Sequence, residues 1–144
     1  MIREHLRPWK ILLVMRMWAL LVVVKLALWR YPLFEVVDRL ARPPKRLRRP
    51  RLDPYRLSWI NNRVLLTRFW RPRCLLRSLV HLRCLRVQGD PAELVIGLPR
   101  ETSATDAHAW VELDGAVVGP APGKAGHEEL VRYPVRPGQR IGSP

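Results

Sequence analysis

Cysteine is scarce in this chain: Cys74 and Cys84 are the only two among 144 residues. One pair cannot carry a disulfide framework in a chain of this size. On a shared helix the two would lie about 15 Å apart, too far to bridge. This pattern fits a reducing compartment. Acidic residues are also few, 12 against 26 Lys and Arg, for a net charge of +14. The imbalance is local. Residues 1–90 hold 21 basic and 5 acidic side chains, and residues 91–144 hold 5 and 7. Such a basic front suits an anionic membrane, an acidic peptide or nucleic acid, or else a plain solvated arginine-rich surface. The basic stretch carries no interleaved aromatics and no recognised nucleic-acid motif. A nucleic-acid-binding protein built on residues 42–51 is therefore the weaker alternative, and no nucleic acid is expected as a partner. Internal repeats are absent. What is abundant is apolar residue, 48% of the chain, enough for one core in one domain or in one domain with an arm.

The apolar residues begin with a long run. Ile11 to Trp29 is broken only by Arg16 and Lys25, which fall on opposite sides of a helix. The helix therefore has no single polar face. No small-residue cleavage site follows, which argues against a signal peptide. Two central cations argue against a spanning helix, at about 2.5–3.5 kcal/mol each on insertion scales. We expect a helix buried against the rest of the protein. Membrane or exporter contact through residues 11–29 is the second reading, since the length is right and the flanks are basic.

Pro32 ends that helix, and Leu33 to Leu40 extends by a turn or two. Residues 42–51 read RPPKRLRRPR, six cations and three prolines. Proline removes helical options and the charges repel, so an extended linker is expected. Asp53-Pro54 opens a helix whose apolar spacing runs from Arg56 to Trp70. Pro72 restarts the chain, and Arg73 to Val87 reads as an amphipathic helix closed by Gly89. Glu93 to Leu98 suits a strand. Ala107 to Leu113 alternates, and Asp114-Gly115 before Ala116-Val117-Val118 signals a hairpin. The tail, rich in Pro and Gly, reads as loop. Helices first and a small sheet after make the class α+β. The expected division is an N-terminal hydrophobic helical segment (1–41), a basic linker (42–54) and a main domain (55–144).

One constellation carries chemistry. Cys74 lies two residues after Pro72, hence in the first turn of its helix. Unpaired backbone N–H groups and the helix dipole favour a thiolate there, and Arg71 and Arg73 add positive potential. A small buried hydrophobe at a helix start is the competing reading. Four histidines are available as a base: His5, His81, His108 and His127. His81 is two turns along the same helix, about 10 Å away and beyond hydrogen-bond reach. His5 and His127 fall in poorly structured ends. His108 opens the alternating strand and shares a face with Trp110 and Glu112. A helix start packed on that strand brings thiolate and imidazole together. A half-buried sheet histidine is the alternative.

The run Arg73-Cys74-Leu75-Leu76-Arg77-Ser78-Leu79, the strand Leu94-Val95-Ile96-Gly97-Leu98 and the block AHAWVELDG (107–115) resemble the leader peptidases of lasso-peptide maturation. That family has a papain-like, transglutaminase-like fold. The resemblance covers roughly residues 55–120, and the arginine-studded N-terminal helix is similar as well. It implies a cytoplasmic cysteine peptidase, without metal or cofactor, that cuts the leader from a ribosomally made precursor. Implied partners are the precursor leader peptide, a separate leader-recognition protein and a lasso cyclase. The resemblance makes Cys74 the nucleophile and His108 the base.

The chain departs from the family pattern at the third residue, an Asp that orients the histidine. Pairing across the Asp114-Gly115 turn places that slot near Pro120 or Ala121, and neither side chain can accept a hydrogen bond. Three readings follow: a Cys–His dyad, a substitute acid in Glu112 or Asp106, or a non-catalytic scaffold of the same maturation complex.

Overall fold

A computed structural model of the chain describes residues 8–46, 51–67, 72–100, 107–119 and 126–134. Within them the helices are α1 (Pro8–Arg30), α2 (Leu33–Ala41), α3 (Pro54–Leu65) and α4 (Cys74–Val87). The strands β1 (Glu93–Pro99), β2 (His108–Leu113), β3 (Ala116–Val117) and β4 (His127–Tyr133) follow. The order is the α+β arrangement read from the sequence.

Local chemistry explains most of the boundaries. Pro32 is extended (φ −65°, ψ 154°) and separates α1 from α2. Asp53 caps α3: its Oδ2 accepts the backbone N–H of Arg56 at 2.9 Å, and Pro54 fills the first helical position. Helix α3 ends at Leu65, short of the expected Trp70, because Leu66 leaves helical geometry (φ −87°, ψ 85°). Residues 68–70 lie outside the described part.

Helix α4 differs from its expected amphipathic form. Leu79, Val80, His81, Leu82, Cys84 and Leu85 are all buried, and they go round the helix instead of forming one stripe. It packs against α1, α2, α3, β1 and β2, so it is the central helix. Its arginines serve the surrounding backbone. Arg83 donates to the carbonyls of Leu40 and Arg42, at 3.1 and 2.8 Å, and so closes the end of α2. Arg86 Nε donates to Ala92 O at 2.8 Å. Gly89, at φ 98°, turns the chain out of the helix.

The linker is tied down where it approaches α3. Gln88 donates to Leu52 O at 2.8 Å and accepts from Leu52 N at 3.3 Å. Arg51 pairs with Asp90, which is buried and also bonded to Gln88 at 2.6 Å. Residues 42–46 form neither helix nor strand, as an extended connection requires, and residues 47–50 lie outside the described part.

The sheet is antiparallel in the order β3-β2-β1-β4. Asp114 (φ 51°) and Gly115 (φ 81°) both take the left-handed conformation that a two-residue hairpin requires. The register Leu113↔Ala116 and Glu112↔Val117 is the expected one. Leu94, Ile96, Ala109 and Val111 line the face that joins the helical core. Strand β4 is new: the tail was expected to be loop. A register shift between Ile96 and Gly97 breaks its alternation.

Helix α1 also differs from expectation. Met17, Leu21 and Val24 are fully buried and belong to the same core cluster as α4 and the sheet. Its opposite side is exposed, at Ile11, Leu12, Met15, Val22, Val23, Leu26 and Trp29.

The second sheet face holds an ionic cluster. Arg132 on β4 reaches Glu93 at 2.9 Å, Glu112 at 2.8 Å and Glu129 at 2.8 Å. Glu93 and Glu112 are buried. Losing the guanidinium would take a close cationic partner from both buried acids. Arg132→Leu is therefore expected to lower the unfolding free energy at neutral pH by about 3 kcal/mol, measured by urea denaturation.

Candidate active site

An open pocket of about 90 Å³ lies where α3, α4 and β2 meet. Its wall includes both Cys74 and His108, each half-buried. Cys74 is the first residue of α4, as Pro72 implied, and its Sγ stands 4.0 Å from the carbonyl oxygen of Ala107. His108 is the first residue of β2. The helix start is thus laid against the strand start. Ser78 pins this contact one turn further on, donating its hydroxyl to Ala109 O at 2.9 Å. Ser78 at i+4 from Cys74 is a signal that sequence reading passed over.

The N-terminus of α4 carries no side-chain cap. Arg73 sits at that position with φ −57° and ψ 155° and makes no capping bond. The first backbone N–H groups therefore point out of the helix with no side chain accepting them. Arg77 adds a cation to the wall, held by Asn62 Oδ1 at 3.1 Å. Asn61 Nδ2 in turn donates to Arg77 O at 3.2 Å. Two adjacent asparagines, Asn61 and Asn62, were the available clue to this wall.

His108 is positioned by aromatic neighbours. Its ring stacks on Trp110, centroids 6.2 Å apart and planes 22° apart. His127 lies across it, at 5.2 Å between centroids. Burial lowers the basicity of His108 below the ordinary value of 6.5, and the charges of His127 and Arg77 lower it further. The imidazole is therefore neutral near pH 7 and able to accept a proton. His127, expected in a loose end, is part of the site because β4 carries it there.

Glu112 lies on the same sheet face. Its Oε1 accepts the Trp110 indole N–H at 2.9 Å, and its Oε2 faces Arg132 at 2.8 Å. Its carboxylate is thus occupied, and it supports His108 at one remove, through the Trp110 ring. Asp106 and the slot at 120–121 lie outside the described residues, as does His5. Gly97, the cross-strand partner of His108, leaves room for Trp110. A Cβ there would stand 2.7 Å from the indole ring and 2.6 Å from Glu128 O.

His81 also lines the pocket, although it is too far along α4 to be a simple partner of Cys74. It is buried and bonded to the backbone of Pro54, and its Nε2 has no partner among the described residues. Asn61 Oδ1 is likewise unpartnered there. No group of three or more His, Cys, Asp or Glu suited to a metal ion occurs among the described residues.

Burial holds His81 neutral in the fold down to about pH 4, against 6.5 ordinarily. Between these values the unfolded chain binds a proton that the folded chain refuses. Stability should then fall as pH drops through this window, by up to about 3 kcal/mol. Replacing His81 by Gln removes the titration. Urea unfolding of His81→Gln should show a flatter decline over this range than the native protein. An unchanged slope would assign the acid sensitivity elsewhere.

Comparison with known proteins gives a family but no individual relative. A search of curated proteins and a search of solved structures each return no match. A family model described as the transglutaminase-like superfamily matches residues 17–132, from the middle of α1 to β4. That span holds the buried part of α1, all of α4 and the whole pocket wall, and the chain belongs to the transglutaminase-like superfamily.

Proposed function

We propose that the protein is a cysteine peptidase that removes the leader from a ribosomally synthesised lasso-type precursor. One observation carries the peptidase reading: Cys74 at an uncapped helix start shares a pocket with a neutral His108. Superfamily membership supports cysteine-based acyl chemistry. The narrower reading, leader removal, rests on the resemblance of the Cys74, Ile96-Gly97 and His108-Ala109-Trp110 segments to lasso leader peptidases. A separate recognition protein would present the leader, and a cyclase would receive the freed core peptide.

The chemistry follows from the geometry. His108 takes the proton of the Cys74 thiol as sulfur attacks the scissile carbonyl carbon. The oxyanion forms beside the outward N–H groups of α4 and the Arg77 cation. The tetrahedral intermediate collapses, His108 returns its proton to the leaving amine, and a thioester remains. Water, deprotonated by His108, then attacks the thioester and releases the acid and the thiol. With Glu112 occupied by Trp110 and Arg132, the described residues act as a dyad steadied by an aromatic wall.

Incubation of the precursor with the protein and its recognition partner, read by mass spectrometry, tests the function. Cys74→Ala should abolish leader release, and Cys84→Ala should retain it. His108→Ala should slow release by roughly 10²–10⁴-fold. An undiminished rate in Cys74→Ala would refute the proposal.

A second test uses pH. The acid limb of kcat/KM reports the free enzyme's base. It should lie below 6.5, because His108 is held below that ordinary value. In His127→Gln one depressing charge is gone, so the limb should move upward. A limb that stays in place would remove His127 from the electrostatics of the site.

A further inference from the structure

Helix α1 combines features that the peptidase reading leaves unused. Its 23 residues extend about 34 Å. One side, at Met17, Leu21 and Val24, is fully buried in the core. The other side is apolar and open. Ile11, Met15, Val22, Leu26 and Trp29 recur there at helical spacing, with exposures of 47%, 65%, 50%, 60% and 87%. Monomeric soluble proteins rarely leave so long an apolar strip uncovered.

The charges that α1 itself carries are all of one sign. Pro8–Arg30 contains Lys10, Arg16, Lys25 and Arg30 and no acidic residue. Trp9 and Trp29 stand at the two ends, the placement that favours a boundary between hydrocarbon and headgroups. A second copy of this face would bring like charges together across a two-fold contact. A spanning arrangement would pull Met17, Leu21 and Val24 out of the core that they share with α4. Anionic lipid offends neither condition. It offers hydrocarbon to the strip and phosphate to the cations.

We propose that α1 docks the protein on an anionic lipid surface, lying in the plane of the interface with its exposed apolar side toward the acyl chains. The strip would enter the boundary by about 5–10 Å, as interfacial helices do. The inner side of α1 stays in the fold, so docking requires no unfolding. The cations make attachment selective for negative headgroups and sensitive to salt.

Flotation of the full-length protein tests this, with vesicles of phosphatidylcholine alone and of phosphatidylcholine mixed with phosphatidylglycerol. Binding to the mixed vesicles is expected to be at least about tenfold tighter. The double variant Val22→Glu, Leu26→Glu should lose that binding by at least tenfold while unfolding as cooperatively as the native protein. Should the variant fail to fold, the native protein decides the matter. Brominated acyl chains in the mixed vesicles should quench its tryptophan fluorescence, and Trp29→Phe should lose part of that quenching. Absence of flotation, equal binding to both vesicle types, or quenching unaffected by Trp29→Phe would overturn the proposal. So would a concentration-dependent dimer that the double variant abolishes.

Discussion

Helix α4 has almost no free side, and this governs the rest of the molecule. Its buried residues run from Leu79 to Leu85 around the helix, so every other layer must be arranged about it. Burying a central helix satisfies its apolar side chains but leaves its arginines with a problem of placement. They solve it by donating to backbone carbonyls and to Asn62. The same bonds close α2, turn the chain into β1 and build the wall beside Cys74. Cys74, the proposed nucleophile, therefore sits at the start of the helix packed against every other layer. A catalytic group held on such an element needs little reorganisation before reaction.

His108, the proposed base, is held differently. His108 leans on Trp110, Trp110 is hydrogen-bonded to Glu112, and Glu112 is neutralised by Arg132 on a strand two places away in the sheet. Burial and neighbouring positive charge keep the imidazole neutral, while the negative charge of Glu112 is absorbed by Arg132. The sheet thus separates two tasks. One face fills the core, and the other carries a relay of polar contacts toward the pocket.

Much of this was legible in the residues. Pro72 before an apolar run located the first turn of α4, and alternation from His108 located β2. The Asp114-Gly115 pair set the hairpin register because two left-handed residues in a row strongly favour that sequence. Less visible was β4, whose His127, Glu128, Glu129 and Leu130 do not alternate cleanly because a register shift interrupts the pairing. Missing that strand hid both His127 and Arg132. The two helical turns between Cys74 and His81 say nothing about which pocket the His81 ring borders. The burial of α1 was half legible: an unbroken apolar run shows that a core face exists, but not that the other face is left open.

Gly97 is the feature whose consequence reaches furthest. It lacks a side chain where the Trp110 ring lies, and it is opposite His108 in the sheet. The volume at this one position sets where the indole rests, and the indole sets where the imidazole rests. A position outside the pocket wall thus acts as an adjusting screw for His108. If His108 is the base proposed above, the size of this one residue would govern its alignment with Cys74.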